Sequence, residues 1–301
     1  MAQVLAVPGD VRHGFSYISQ FNHDFGRITG IAATIKGNIL LCDHDKKNLI
    51  LVDPLGNYLK KLDLDSEPFD VAITSQNIGY ITLPNSRSVL QIDPDRMIVL
   101  LKATSNELST TVLCVSAVPN SGRDYSDNVP CFFGVNKHGL MYAVPVNYEE
   151  INLTDIYKNG NIISSRVVKF HTVDENSCLF CTGGQNYISY NVSWTGPKKV
   201  YDIATIDTPT DICSDDNGHI YISGQGSNNI HRLVFESKTT TTEDRWGFLE
   251  NIQEQDYKVL DIPLNSQHGI KEPVALCFNK DYSKLYIVNE WGKSVLIFDV
   301  I

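Results

Sequence analysis

Asn38-Ile39-Leu40-Leu41-Cys42-Asp43 is followed, after the polar turn His44-Asp45-Lys46-Lys47, by Asn48-Leu49-Ile50-Leu51-Val52-Asp53-Pro54. Two short runs rich in branched apolar residues, joined by a tight polar turn, form the pattern of a pair of β-strands. The same pair recurs as Gly79-Tyr80-Ile81-Thr82 leading into Ser88-Val89-Leu90-Gln91-Ile92-Asp93-Pro94. It returns as His219-Ile220-Tyr221-Ile222-Ser223 before Asn229-Ile230-His231-Arg232-Leu233, and as Lys284-Leu285-Tyr286-Ile287-Val288-Asn289 before Ser294-Val295-Leu296-Ile297-Phe298-Asp299. A repeat of about forty residues built from short strands is the signature of a β-propeller.

The second run of each pair starts at Asn48, Ser88, Gly139, Asn186, Asn229 and Ser294, in steps of 40, 51, 47, 43 and 65 residues. The two longest steps contain segments that read as insertions, residues 119–130 and 236–255. The second of these holds a polar run, Thr239-Thr240-Thr241-Thr242, whose low complexity predicts mobility. Trp246-Gly247-Phe248-Leu249 follows it, read as a short helix packing back or as a docking element. Outside the insertions each unit reads as four strands, the first over residues 28–34, 38–42, 48–53 and 58–64. Lys36-Gly37 and Pro54-Leu55-Gly56-Asn57 supply the turn chemistry.

The expected fold is therefore all-β, a six-bladed β-propeller of four-stranded antiparallel blades in one domain spanning residues 1–301. The blades fall near 28–67, 68–108, 109–160, 161–207, 208–270 and 271–301. The last unit runs out after three strands, while Phe15-Ser16-Tyr17-Ile18-Ser19-Gln20-Phe21 stands alone before the first. Pairing residues 15–22 with the last blade would remove two exposed sheet edges, which are otherwise an aggregation liability.

Composition bounds the partner. The chain of 301 residues is 42% hydrophobic and 20% charged, within the globular range, with a formal net charge of −10. Nucleic-acid binding relies on clustered basic residues that neutralise phosphates, so this acidic balance counts against it. A local patch from Lys46, Lys47, Arg87 and Lys293 is the exception to weigh. No apolar run reaches the length of a membrane span, and the start lacks the pattern of a secretory signal. Seven cysteines, mostly within strand patterns, fit buried thiols in a reducing, cytoplasmic setting better than a disulfide framework.

In each unit the end of the second strand and the end of the third lie ten residues apart: Asp43 and Asp53, Leu83 and Asp93, Asn289 and Asp299. This spacing resembles NHL repeats, whose pattern is a strand, an Asp, a short polar loop with Asn and Arg, a second strand and an Asp. The resemblance covers essentially the whole chain, with degenerate copies. The first Asp stands only at Asp43, with Leu83, Gly134, Cys181, Gly224 and Asn289 elsewhere, and the loop Asn is clear only at Asn228. The array resembles the C-terminal propellers of invertebrate tripartite-motif proteins. That resemblance implies a protein-interaction domain that presents substrates to a ubiquitin ligase, with RNA binding as its alternative. RING and B-box zinc spacings do not occur in this sequence.

In a propeller the loops joining second to third strands share one face with those joining successive blades. The candidate partner-binding residues on that face are His44, Lys46, Lys47, Asn85, Arg87, Lys137, His138, Gln185, Gln225, Asn228, Glu290, Trp291 and Lys293. Trp291, beside charged residues at a loop tip, has the chemistry of a binding hot spot, or else folds down onto its neighbouring blade. Lys46, Lys47 and Arg87 read first as an ordinary solvated rim.

Enzymatic signatures are sparse. Asp43-His44-Asp45 offers metal-ligating atoms, but from a single tight turn, whereas metal sites usually gather ligands from separate elements. Cys178-Leu179-Phe180-Cys181 has CxxC spacing on a strand, where the two side chains face opposite ways. No G-x-S-x-G elbow, phosphate loop or H-E-x-x-H occurs. Six-bladed propellers do include metal-dependent lactonases and a lyase, and Asp70, Asp211, Glu272 and Asn289 lie where a ring of tunnel ligands would be drawn. The sequence assigns no catalytic residue, metal set or cofactor, and a protein partner is the leading expectation.

Overall fold

The computed structural model describes residues 13–104, 111–118, 131–135, 141–144, 154–155, 167–173, 177–182, 184, 186–191, 198–203, 205–243 and 249–301. They form a β-propeller of four-stranded antiparallel sheets, six in all. The first strands of the sheets run Ile28–Ala33, Val71–Ile73, Val112–Ala117, Val167–Thr172, Pro209–Ser214 and Ala275–Phe278. Each packs against the first strand of the next sheet, and Ala275–Phe278 packs back on Ile28–Ala33, so the ring closes around a central tunnel.

The apolar runs are continuous rather than alternating because each sheet is sandwiched between two others. Ile39 and Leu41 join a cluster with Tyr286, Val288, Val295 and Ile297 of the last sheet. Their neighbours Leu40 and Cys42 point the other way, onto Ile81, Leu90 and Ile92 of the second sheet. With alternate side chains serving opposite interfaces, a polar residue on either face would cost burial. Each fully buried Leu or Ile contributes about 1.5–3 kcal/mol.

Closure uses the expected strand. Phe15–Phe21 pairs antiparallel with Ser294–Val300, in a register that sets Phe15 opposite Val300 and Phe21 opposite Val295. Its Phe15 ring meets Tyr221 edge-on at 5.8 Å. His13, just upstream, is clamped to the fifth sheet. Its imidazole lies 2.7 Å from Asp216, and its carbonyl accepts from the Arg232 guanidinium at 2.6 Å.

The insertion at residues 236–255 departs from expectation. Asn229–Glu243 and Leu249–Asn265 form one long antiparallel ribbon that continues past the blade, with Thr239 opposite Gln253 and Thr242 opposite Glu250. The threonine run is thus a strand, not a mobile loop. Thr is β-branched and favours the extended chain, and here it has a partner strand to pair with. Leu249 opens the return strand instead of a helix, and Trp246 and Phe248 lie outside the described residues. Residues 119–130 also lie outside them. No described helix is long and apolar enough to cross a membrane.

Candidate functional site at the tunnel mouth

Where a first strand enters the ring, a register shift lets one residue per sheet turn toward the axis; such shifts sit before Gly30, Cys114, Lys169 and Asp211. Asp70 occupies the same position in the second sheet, its backbone carbonyl accepting from Thr82 N–H at 3.0 Å. Three of these residues meet. The Lys169 ammonium bonds Asp70 and lies 3.5 Å from Asp211, all three side chains being buried or nearly so.

The two carboxylates are held alike. Asp70 accepts from its neighbour Val71 N–H at 2.8 Å and from Val115 N–H of the next sheet at 2.9 Å. Asp211 accepts from Ile212 N–H and, across to the next sheet, from Leu276 N–H, both at 2.8 Å. Thr82 and Ser223 hydroxyls accept from the Asp70 and Asp211 N–H groups. Each aspartate therefore stitches two sheets together, and Lys169 ties the stitches across the tunnel. Burial works against the Lys169 cation, but Asp211 and Asp70 outweigh it and raise its pKa above the ordinary lysine range. Burial pushes Asp211 up to about 6, with Lys169 opposing. A lysine held protonated is no nucleophile, and carboxylates committed to N–H groups and an ammonium are poor metal ligands.

This bridge divides the tunnel. Above it, a cavity of about 280 Å³ opens on the face of the candidate loops. Phe69, Val168, Pro209, Val274 and Trp291 give it apolar walls, and Arg27 and Gln225 supply polar edges. Trp291 is 49% exposed, so it stands over the mouth and is not folded away. The backbone of its loop is left-handed at three successive residues, Glu290, Trp291 and Gly292, with φ of 52°, 56° and 89°. In the equivalent loops the residue just before the third strand is left-handed, as at Lys47, Arg87 and Asn228. A non-glycine residue in this region costs roughly 1–2 kcal/mol. Glu290 N–H to Lys271 O at 2.7 Å and Trp291 N–H to Glu272 O at 3.1 Å hold the strained turn.

Of the other candidates, Gln225 also lines the mouth, while most of the basic ones are paired. Lys46 meets Asp24 at 2.6 Å, Lys47 meets Glu67 at 2.9 Å, and Lys293 donates to the Gly26 carbonyl. Lys47 foremost, then backbone and Asn85 hydrogen bonds, lower Glu67 to about 2. Asn228 accepts from Glu272 N–H at 2.7 Å, and Glu290 accepts from Ser294 Oγ at 3.1 Å. Arg87 caps the turn Pro84–Ser86 in a left-handed conformation. His44 lies 3.0 Å from an Arg27 nitrogen and 2.9 Å from Asp45. Lys137, His138 and Gln185 lie outside the described residues.

The residues weighed as metal or redox candidates make the following contacts. Asp43 is fully buried and accepts from Gly26, Arg27 and Lys46 N–H groups, pinning the loop that enters the first sheet. Asn289 does the same work in the last sheet, accepting from Lys271 N–H at 2.8 Å and donating to Gly269 O at 3.0 Å. Glu272 is exposed on the rim, so Asp70 and Asp211 are the tunnel candidates that Lys169 brings together. Cys178 and Cys181 are buried and form no disulfide. His171 Nε2 lies 3.1 Å from Ser214 Oγ, the geometry of a base and a nucleophile. Burial, then Lys169, lowers this imidazole to about 4, which leaves it too weak a base to activate a serine at neutral pH.

Lys169 and Arg27 are the site residues that the sequence reading missed. The available signal was a lysine inside the apolar strand Val167–Thr172, where a solvated side chain has no place.

No protein-family model and no curated protein sequence matches the chain. Solved structures match it in fold. Selenomethionine-substituted virginiamycin B lyase from Staphylococcus aureus aligns over 96% of this chain and 100% of its own, with a TM-score of 0.59 and 13% identity. A catalytically inactive variant of that lyase with quinupristin gives 0.61 and 12%, over 96% and 100% of the two chains. The WD40 repeats of RRP9 give 0.59 and 11%, again over 96% and 100%. One likeness is to a lyase and another to a WD40 domain, so what this chain shares with both is the β-propeller fold.

Proposed function

We propose that the chain is a protein-recognition propeller that takes an extended segment of its partner across the tunnel mouth. The observation carrying this reading is Trp291: a half-exposed indole, on a strained left-handed turn, at the rim of an apolar cavity. Backbone strain concentrated at an exposed aromatic is what a preformed binding site retains and a passive loop discards. Among the described residues of this face, Lys46 and Lys47 are paired with carboxylates, which reduces the positive charge open to phosphates and favours protein over RNA. The NHL-like spacing supports the finer reading, a substrate-recognition domain of a tripartite-motif ubiquitin ligase. Cysteines that form no disulfide support a reducing, cytoplasmic setting.

The test is affinity capture with wild-type protein and Trp291→Ala, each with and without nuclease. A partner that survives nuclease and is lost with Trp291→Ala supports the reading. A partner retained by Trp291→Ala, or released by nuclease, overturns it.

A further inference from the structure

Below the Asp70–Lys169–Asp211 bridge the tunnel holds a second cavity of about 370 Å³, within the size range of small-molecule sites. It opens on the face opposite Trp291, among the turns that join first to second strands. Its walls are mixed. Ala33, Ile73, Ala117 and Val118 supply short apolar surface, and Lys169, His171, Ser116, Thr74 and Lys280 supply polar atoms.

The polar atoms favour one sign of ligand. Ser116 Oγ accepts from Thr172 N–H at 2.9 Å and Thr74 Oγ1 accepts from Ile78 N–H at 3.3 Å, which leaves each hydroxyl its own hydrogen to donate. The Lys169 ammonium bonds Asp70 and lies 3.5 Å from Asp211, which leaves it hydrogens to donate. Lys280 stands exposed at the opening. Acceptors are committed elsewhere: Asp211 to Ile212 N–H, Leu276 N–H and Lys169, and Asn279 Oδ1 to Lys284 N–H at 2.8 Å. Among the described residues, Asp211 is the one carboxylate in the lining, against Lys280 at the opening and Lys169, which Asp211 shares with Asp70. A cavity with donors to spare, few open acceptors and short apolar walls suits a ligand with clustered acceptors and a small hydrocarbon body.

We infer that this lower cavity binds a small organic carboxylate. The hydrocarbon part lies against Ala33, Ile73 and Ala117, and the carboxylate takes donors from Ser116, Thr74 and a lysine. The site is separate from the Trp291 mouth, with the salt bridge between them.

Two thiols report on it. Cys213 and Cys277 line this cavity and are partly exposed, whereas the other five cysteines are buried. Burial raises both thiols above the ordinary range, so labelling is slow; its rate with N-ethylmaleimide at mildly alkaline pH, read by peptide mass spectrometry over a long time course, measures occupancy without any assay of function. Hexanoate is the probe, with hexanol and hexylamine as chain-matched controls. Hexanoate slowing both labelling reactions several-fold, with the controls inert, is the expected result. Lys280→Gln should weaken the protection, and Ala117→Phe, which fills the cavity, should abolish it. If Ala117→Phe does not fold, Ala33→Leu serves the same purpose. Equal slowing by hexylamine or hexanol, no slowing by hexanoate, or protection that persists in a folded cavity-filled variant would each overturn the assignment.

Discussion

Gly292 of the last sheet and Ile28 of the first touch backbone to backbone. A Cβ on Gly292 would lie 2.4 Å from the Ile28 carbonyl oxygen and 2.8 Å from its nitrogen. With φ at 89°, the position excludes a side chain twice over, by clash and by conformation. The contact fixes the loop that carries Trp291 against the seam where the ring closes. Gly292→Ala should therefore destabilise the fold by about 2–3 kcal/mol, the scale of a strained backbone plus an overpacked contact. Urea unfolding measures it, and a change below the usual scatter of surface substitutions would contradict the packing.

Trp291→Ala should behave in the opposite way. The side chain is 49% exposed, so its loss is expected to shift stability by no more than about 0.5 kcal/mol. Partner affinity should fall by about 2 kcal/mol, the scale of a hot-spot truncation. Unfolding curves and binding titrations on the same preparation separate the two effects.

Lys169→Met leaves Asp70 and Asp211 buried in the tunnel without their shared cation. Uncompensated buried charge costs about 3–5 kcal/mol. Adding Asp70→Asn and Asp211→Asn to the same chain should recover much of the loss, because the charges go together. Chemical denaturation of the single and triple variants checks this, and a triple variant no more stable than the single would show that the bridge acts through packing.

Stability should also depend on pH between 6.5 and 4. Burial, foremost, holds His171 and His231 down to about 4 from an ordinary 6.5. The folded chain binds these protons less tightly than the unfolded chain, so their support is complete above pH 6.5 and drains as pH falls toward 4. Asp211, raised from 3.8 to about 6, acts the other way: its contribution is greatest below 3.8 and is lost as pH rises through 6. Two histidines outweigh one carboxyl, so stability falls on acidification. Urea midpoints across this range should fall less steeply for His171→Gln and more steeply for Asp211→Asn. Identical slopes in wild type and His171→Gln would refute the assignment.

Removing residues 13–21 takes away the strand that covers Ser294–Val300. The bared edge should lower the unfolding temperature and promote association, visible together in calorimetry and light scattering. A truncated chain that kept both wild-type stability and monodispersity would contradict the closure.

The strand pairs were legible because burial on both faces writes itself as unbroken Ile, Leu and Val, as in Ile39–Asp43. The closing strand was legible because Phe15–Phe21 had no neighbour of its own in the repeat. Trp291 showed as an aromatic in a polar turn, but its strained backbone did not, since Glu290 and Trp291 carry no preference for positive φ. The threonine ribbon was misjudged because low complexity and β-propensity coincide in Thr239–Thr242, and only the opposing strand decides between them. Asp70 and Asp211 were placed near the tunnel by loop position alone. That Lys169 joins them depends on strands about a hundred and about forty residues away arriving at one axis, which local pattern does not encode.

The two ends of the ring meet: Gly14 N–H donates to Ile301 O at 2.7 Å, and Ile301 N–H returns to Gly14 O at 3.0 Å. A circular permutant that joins residue 301 to residue 13 by a short linker and opens between the first and second sheets would keep every blade intact. In it, the pairing with the largest sequence separation among the described residues becomes a local hairpin, and mean contact order drops. Such a chain should fold faster than the natural order while reaching the same ring. The natural order makes final closure wait on residues 14–21 meeting residues 294–301.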